Sequence, residues 1–225
     1  MIHPLLKEVK AFLFDFDGTL AELQLDFPAL RREILLLAAG RFGLPDPAAP
    51  HPAYLLELTE ALRNQLAVED PEKADRFFDR AMALIVEKEQ EAAHPENLFP
   101  WTKKVLDFLI RADYRVAVLT RNSGLAVRRV FPDLDRYCHL FLPREAVAKP
   151  KPDPDHVRSA VRKLGVECHQ AVMVGDHPLD IRCGRQTGLV TLGVLTGRTT
   201  AAEMAAARAD LILPDVGALL DLFYP

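Results

Sequence analysis

Two aspartates separated by a single residue form the chain's first candidate site. Asp15 and Asp17 come at the end of an apolar segment, residues 9–16, and Gly18 follows them. Residues two apart on an extended chain point the same way, so both carboxylates can enter one cavity. Glycine tolerates the backbone conformations that a sharp turn requires. An ordinary Asp-Gly turn with solvated acids would show the same residues, so a second feature is needed to favour chemistry.

A second pair of acids follows another apolar segment. Asp176 and Asp180 come shortly after residues 171–174. Acids at a helix N-terminus also suit the helix dipole, which is the ordinary alternative. Carboxylates at the ends of two strands, however, favour a hard divalent cation, because Mg²⁺ binds through one or two carboxylates together with phosphate and water. The sequence therefore predicts a Mg²⁺ site that joins the two pairs.

Two further segments could bind an anion. Thr120, Arg121 and Asn122 follow a third apolar segment, and their hydroxyl and backbone N–H groups could cradle a phosphate. A helix N-cap would use the same residue types. Lys149 opens the proline-stiffened string KPKPDP, residues 149–154, which could hold a lysine over the anion, although most lysines are merely surface charges.

The elements that must position these residues are short apolar strands separated by helices. The predicted strands are residues 9–16, 114–119, 140–142, 171–174 and 189–195. Fully apolar strands that alternate with helices indicate a parallel sheet covered by helices on both faces. Ligands of such sheets bind beyond the carboxyl ends of the strands, where the candidate residues lie.

One long segment lacks this alternation. Residues 21–97 contain no strand candidate but three amphipathic helical segments, residues 28–42, 54–68 and 71–93. A helical block inserted after the first strand of an α/β sheet indicates a separate small bundle. We therefore predict an α/β catalytic core from residues 1–20 and 98–225, with residues 21–97 as a helical cap.

Composition excludes several other classes of protein. Apolar residues make up 49% of the chain, enough for a sizeable core. Lysine and arginine total 28 against 32 acidic residues, a balance that argues against a nucleic-acid partner. Three widely spaced cysteines without a CxxC pair fit neither a disulfide framework nor a zinc site. No apolar stretch is long enough to cross a bilayer, so we expect a cytoplasmic protein with no membrane partner.

Taken in order, these motifs resemble those of the haloacid dehalogenase superfamily, in its phosphatase branch, and most closely its phosphoglycolate-phosphatase-like members. The motifs are DFDGT at residues 15–19, LT at 119–120, KPxPDP at 149–154, and the GDxxxD whose acids are Asp176 and Asp180. The resemblance implies a Rossmann-like three-layer α/β core with a parallel sheet of strand order 3-2-1-4-5. It also implies an all-helical cap inserted after the first strand.

The resemblance implies distinct roles for the first two aspartates. Asp15 would be the nucleophile that forms an aspartyl-phosphate, and Asp17 would be the general acid and base. Asp15, Asp176 and the main-chain carbonyl of Asp17 would bind Mg²⁺. The implied activity is that of a Mg²⁺-dependent phosphatase, a phosphoric monoester hydrolase, acting on a small phosphorylated metabolite.

The remaining motif residues would support the phosphate. Thr120 would hydrogen-bond a phosphoryl oxygen, and Arg121 and Asn122 complete the expected phosphate-binding set. Lys149 would neutralise the nucleophile and the transferring group. Asp180 would orient Lys149 or a metal-bound water.

Three choices stay open at this level. Lys149 is favoured over Lys151, because KPKPDP matches KPxPDP only when Lys149 comes first. A phosphomutase of the β-phosphoglucomutase kind shares both first-motif aspartates, but its motif often ends in Gly-Val, whereas Gly18-Thr19 favours hydrolysis. A non-catalytic binding module on the same fold would tend to lose the nucleophile or the acid, and both are present here. Nothing in the sequence identifies the substrate or the oligomeric state.

Overall fold

The computed structural model describes residues 2–44 and 54–223, and these contain one parallel sheet. Its strands are β1 (Ala11–Phe14), β2 (Arg115–Leu119), β3 (Leu140–Leu142), β4 (Ala171–Gly175), β5 (Val190–Val194) and β6 (Leu211–Leu213). Their order is β3-β2-β1-β4-β5-β6, and every adjacent pair is parallel. The predicted α/β class and the order of the first five strands are confirmed, and β6 is an addition beside β5.

Eight α-helices accompany the sheet within the described residues. They are α1 (Phe27–Leu36), α2 (Leu55–Ala67), α3 (Pro71–Ala92), α4 (Thr102–Arg111), α5 (Gly124–Val130), α6 (Asp155–Leu164), α7 (Pro178–Gln186) and α8 (Ala201–Ala206). None of these helices combines the length and the apolar character that crossing a bilayer requires.

The central strand β1 is packed against other parts of the chain on both faces of the sheet. All four of its residues are buried, and alternate side chains point to opposite faces. Ala11 and Leu13 join an apolar cluster with residues of α6 and α7. On the other face, the Phe12 ring meets Tyr114 edge-on, with the ring centroids 5.3 Å apart, and lies 6.2 Å from the Phe223 ring. Burial on both faces explains why β1 reads as an unbroken apolar run.

The chain divides into two compact units. The first comprises residues 1–23 and 93–225 and contains the sheet, and the second is Gln24–Ala92. The second unit has its own apolar core of residues from α1, α2 and α3 and from the turn after α1, namely Leu30, Ile34, Ala38, Phe42, Leu58, Leu62, Leu66, Ala74, Phe77, Ala81 and Ile85. Residues 45–53, which also fall in the expected cap, lie outside the described residues.

The two segments that lead into and out of the second unit are tied to each other. Ala21 and Leu98 form an antiparallel bridge, and the Glu22 N–H donates to the Asn97 carbonyl at 2.9 Å. The Thr102 hydroxyl donates to the Leu20 carbonyl at 2.6 Å. These bonds keep the junction residues with the first unit, so that the second begins at Gln24 and ends at Ala92.

Candidate active site

Two acids, Asp15 directly after β1 and Asp180 in the first turn of α7, converge on one buried lysine. Lys151 Nζ lies 2.7 Å from Asp15 Oδ1 and 2.6 Å from Asp180 Oδ1. The Lys151 side chain is only 2% exposed, so these are short, charge-assisted hydrogen bonds screened little by solvent. The same Asp180 accepts a bond from the His177 N–H through Oδ2 at 3.3 Å. The start of α7 therefore fixes Asp180, and Asp180 helps to fix the lysine.

The lysine at the site is Lys151, and the sequence-based choice of Lys149 is corrected. The Lys149 side chain is 67% exposed, and its Nζ is 3.9 Å from an Asp153 carboxylate oxygen. The physical reason is the path of the loop, in which the Lys151 backbone N–H donates to the buried His156 ring and the side chain turns inward. The sequence held a signal for this, since residues 151–155 also read KPxPD, and only the final proline is replaced.

Three carboxylates lie close enough to share one cation. Ligand oxygens of Asp15, Asp176 and Asp180 all lie within 4.8 Å of one another, and all three residues are buried. Hard carboxylate oxygens are the donors that Mg²⁺ prefers, so this donor set fits the ion that the motifs imply. For Asp17 the expected metal ligand is the main-chain carbonyl, and its side-chain Oδ1 accepts a hydrogen bond from the Leu23 N–H at 2.7 Å.

The electrostatics of the cluster indicate an excess of negative charge. Burial, only partly offset by Lys151, raises the pKa of Asp15 to about 6. Burial together with the charges of Asp15, Asp180 and Asp17 raises the pKa of Asp176 to about 9. Burial would lower the pKa of Lys151, but the two carboxylates bonded to it outweigh that effect and raise it. One lysine thus does not balance these acids, and a bound divalent cation would offset most of the remaining charge.

The Asp176 carboxylate is enclosed by backbone that only glycine allows. A Cβ on Gly18, whose φ is +84°, or on Gly197 would overlap the Asp176 carboxylate. The Thr19 hydroxyl donates to Asp176 Oδ1 at 3.3 Å, and the Thr196 hydroxyl donates to the Gly18 carbonyl. The loop after β5 therefore completes the site. Sequence reasoning missed Thr196 and Gly197, although they follow a predicted strand just as the other motifs do.

We expect Gly197→Ala to weaken Mg²⁺ binding by about 10–100-fold, the effect typical of displacing the groups around a metal ligand. The added methyl group displaces either the loop or the Asp176 carboxylate, because no space separates them. Isothermal titration with Mg²⁺ measures the change. Gly40→Ala is the matched control, since a Cβ there meets nothing within 4 Å. Wild-type Mg²⁺ affinity in Gly197→Ala would contradict this account of the loop.

The expected phosphate-binding residues lie at the end of β2. The Thr120 N–H donates to the Leu142 carbonyl at 3.1 Å, and the Thr120 hydroxyl accepts a bond from the Asn122 N–H at 3.1 Å. Asn122 is 9% exposed, and its buried Nδ2 has no hydrogen-bond partner among the described residues. Arg144, which sequence reasoning missed, donates through Nη1 to the Arg121 carbonyl at 2.9 Å and braces this turn. A buried donor left over in such a turn suits an anionic ligand.

Comparison with known proteins gives consistent matches. A family model described as a haloacid dehalogenase-like hydrolase matches residues 9–188. Pyrophosphatase PpaX of Bacillus velezensis is 28% identical over 225 residues, covering 96% of this chain and 97% of that protein. Phosphoglycolate phosphatase of Vibrio vulnificus is 25% identical, covering 96% of each. The crystal structure of β-phosphoglucomutase from Clostridium difficile has a TM-score of 0.67 at 15% identity, covering 94% of this chain and 93% of that one, a likeness of fold alone.

Proposed function

Because this chain belongs to the haloacid dehalogenase-like hydrolases, we propose that it is a phosphatase that hydrolyses a small phosphomonoester with Mg²⁺ through an aspartyl-phosphate on Asp15. The observation that carries the proposal is the buried Lys151, held between Asp15 and Asp180, whose carboxylate oxygens lie within 4.8 Å of one of Asp176. This cluster combines an anionic nucleophile, a fixed cation and oxygen ligands for a metal. Phosphoryl transfer relies mainly on such positioning and charge stabilisation.

Asp15 is assigned the nucleophilic attack on phosphorus. A carboxylate needs no general base to attack, and the bond to Lys151 holds one of its oxygens in place. The Lys151 ammonium offsets the repulsion between this carboxylate and an incoming phosphate dianion. As the P–O bond to the leaving group breaks, the phosphoryl group passes to Asp15 and the leaving oxygen takes up the electron pair.

Asp17 is assigned both proton transfers. In the first step its carboxylic acid protonates the leaving oxygen, and in the second its carboxylate takes a proton from the water that attacks the phosphoryl group. Its position two residues after the nucleophile suits this role. The hydrogen bond from the Leu23 N–H to Oδ1 orients the carboxyl group.

Thr120 and Asn122 are assigned to the phosphoryl oxygens. The Thr120 hydroxyl accepts from the Asn122 N–H, so its own proton is free to be donated to an anion. The Asn122 Nδ2 supplies a second donor from a buried position. Donors that are already in place do not need to reorganise when charge develops on the phosphoryl oxygens.

The carboxylates of Asp15 and Asp176 and the carbonyl of Asp17 are assigned to the Mg²⁺ ion. When bound, the ion would neutralise charge on the nucleophile and the phosphate. Asp180 stays with Lys151 and the His177 N–H, to which both of its oxygens are bonded.

We expect Mg²⁺ to raise the melting temperature of the wild-type protein by about 5–10 °C at roughly 100 times its Kd. Asp176→Asn should abolish this response and stabilise the metal-free protein. The folded chain keeps the Asp176 proton up to a pKa of about 9, whereas the unfolded chain loses it near 3.8. Stability contributed by this carboxyl therefore falls as the pH rises through that window.

Thermal unfolding at pH 5 and pH 8, with and without Mg²⁺, measures both effects. The gain in the melting temperature of metal-free Asp176→Asn should be larger at the higher pH. Asp107→Asn, which removes an exposed acid of α4, serves as the control and should keep the Mg²⁺ response. An unchanged Mg²⁺ response in Asp176→Asn would remove this residue from the metal site.

A screen of phosphorylated metabolites with Mg²⁺ or with a chelator tests the proposed function. Phosphoglycolate and pyrophosphate belong in the screen, because relatives carry those names. Metal-dependent release of phosphate supports the proposal. A phosphorylated sugar that is isomerised instead of hydrolysed would favour a mutase, and no turnover of any compound would favour a binding module.

A further inference from the structure

His156 connects two parts of the site that the motifs do not link. Its ring is fully buried at the start of α6. Nδ1 lies 3.1 Å from the Lys151 backbone nitrogen, and Nε2 lies 3.1 Å from the Leu142 carbonyl oxygen. That carbonyl also accepts the Thr120 N–H at 3.1 Å. One imidazole therefore bridges the loop that carries the lysine and the strand end next to the phosphate-binding turn.

The two partners fix the state of the ring. The Lys151 backbone N–H can only donate, so Nδ1 must accept. The Leu142 carbonyl can only accept, so Nε2 must carry the proton. Both conditions hold for the neutral imidazole protonated at Nε2. They do not both hold for the neutral tautomer protonated at Nδ1 or for the imidazolium cation. A carbonyl oxygen has two lone pairs, so Leu142 can accept from Thr120 and His156 together.

We propose that His156 is a positioning residue that fixes the Lys151 ammonium between Asp15 and Asp180 through the hydrogen bond that its Nδ1 accepts from the Lys151 backbone N–H. This inference rests on the proposed function, because it concerns the residue assigned to neutralise the nucleophile. A backbone anchored at Nδ1 restricts the directions that the side chain can take. Since a misplacement of about 1 Å can cost about 100-fold in rate, such an anchor matters for turnover.

The surroundings of the ring support a permanently neutral anchor. Burial, followed by the positive charge of Lys151, lowers the pKa of His156 to about 4. The Leu142 hydrogen bond and the Asp180 charge oppose this lowering, and Arg121 adds a smaller contribution to it. A proton on Nδ1 would face the Lys151 N–H donor. The anchor therefore stays intact throughout the neutral range.

Two substitutions of His156 each remove one of its two hydrogen bonds, so that the contribution of each bond can be measured. In His156→Asn the amide oxygen can take the place of Nδ1 and keep the bond from Lys151, while the bond to Leu142 is lost. In His156→Gln the amide nitrogen can take the place of Nε2 and keep the bond to Leu142, while the bond from Lys151 is lost. Each variant loses one buried hydrogen bond, so a purely structural role predicts similar effects on stability and activity for both.

Two measurements on both variants test the proposal. The first is kcat and KM for an aryl phosphate with Mg²⁺. We expect kcat to fall by about 100-fold in His156→Gln with KM little changed, and to stay close to the wild-type value in His156→Asn. The second is the ¹H–¹⁵N signal of the Lys151 ammonium in ¹⁵N-lysine-labelled protein, identified by its loss in Lys151→Met. This signal should persist in His156→Asn and be lost in His156→Gln.

The readouts separate this proposal from the proposed function. If the wild type turns over no phosphomonoester but the ammonium signal behaves as expected, the positioning role stands and the proposed function fails. Equal effects in both variants, or a wild-type signal and kcat in His156→Gln, would overturn the positioning role. The ¹⁵N shifts of the wild-type His156 ring provide a check without any variant, because a ring protonated at Nδ1 near neutral pH contradicts the proposal directly.

Discussion

Asp15→Asn is expected to reduce phosphomonoester turnover by more than about 10⁴-fold, because the loss of a covalent nucleophile removes a step that other residues cannot supply. An amide does not attack phosphorus at a useful rate. The substitution keeps the size of the side chain and removes a buried carboxylate. Burial already disfavours that charge, since it raises the pKa of Asp15 to about 6. The variant should therefore fold, and its melting temperature without metal should be no lower than that of the wild type.

Asp17→Asn should also be slow, but for a different reason. It keeps the nucleophile and loses proton transfer, which is typically worth about 10²–10⁴-fold. The leaving group of an activated aryl phosphate needs little protonation. In Asp17→Asn, transfer of the phosphoryl group to Asp15 should therefore be slowed less than the later attack of water on the aspartyl-phosphate. Steady-state kinetics with a series of aryl phosphates measure this difference. Wild-type turnover rates in Asp15→Asn would contradict the assignment of Asp15 as the nucleophile, irrespective of the rates measured for Asp17→Asn.

Lys151→Met is expected to lower kcat/KM by about 10²–10³-fold, whereas Lys149→Met should leave it unchanged. The two lysines are separated by one proline and differ in what they touch. Lys151 Nζ bonds two buried carboxylates, and the Lys149 side chain lies largely in solvent near Asp153. Removing the buried partner leaves Asp15 and Asp180 to repel each other.

The control for a folding defect is the melting temperature of each lysine variant. Lys151→Arg keeps the charge but not the compact shape of the ammonium, so it should recover stability more than rate. Equal losses of activity in the Lys149 and Lys151 variants, or a loss confined to Lys149→Met, would reverse the assignment made from the structure. The comparison is direct because both substitutions use the same side chain in the same loop.

The acids of the site could be predicted because they depend on local sequence. Asp15 and Asp176 each follow a short, fully apolar segment, and the carboxyl ends of parallel strands meet at one edge of a sheet. Strands β1 and β4 pair in register along all four residues of β1, which brings the two acids side by side. Hydrophobic pattern alone was enough for this part of the fold.

The lysine could not be chosen correctly from the same kind of evidence. Lys149 and Lys151 both precede a proline, and the choice between them depends on contacts with residues far away in the sequence. The bond from His156 to the Leu142 carbonyl and the bonds of Lys151 to Asp15 and Asp180 span 14, 136 and 29 positions. Local pattern does not encode such pairings.

Strand β6 was missed for a related reason. Its three residues, Leu211–Leu213, follow an alanine-rich helix. Its place is set by pairing with β5, from Leu192 to Val194.

Acid-quenched mass spectrometry of Asp17→Asn, after incubation with an aryl phosphate and Mg²⁺, tests the central claim most directly. We expect one added phosphoryl group on the peptide that contains Asp15, because the first step proceeds and hydrolysis of the intermediate is slow. The same adduct should be absent when a chelator replaces Mg²⁺ and absent when Asp15 is also replaced by asparagine. A phosphoryl group on any other residue, or its persistence without Asp15, would contradict the proposed mechanism.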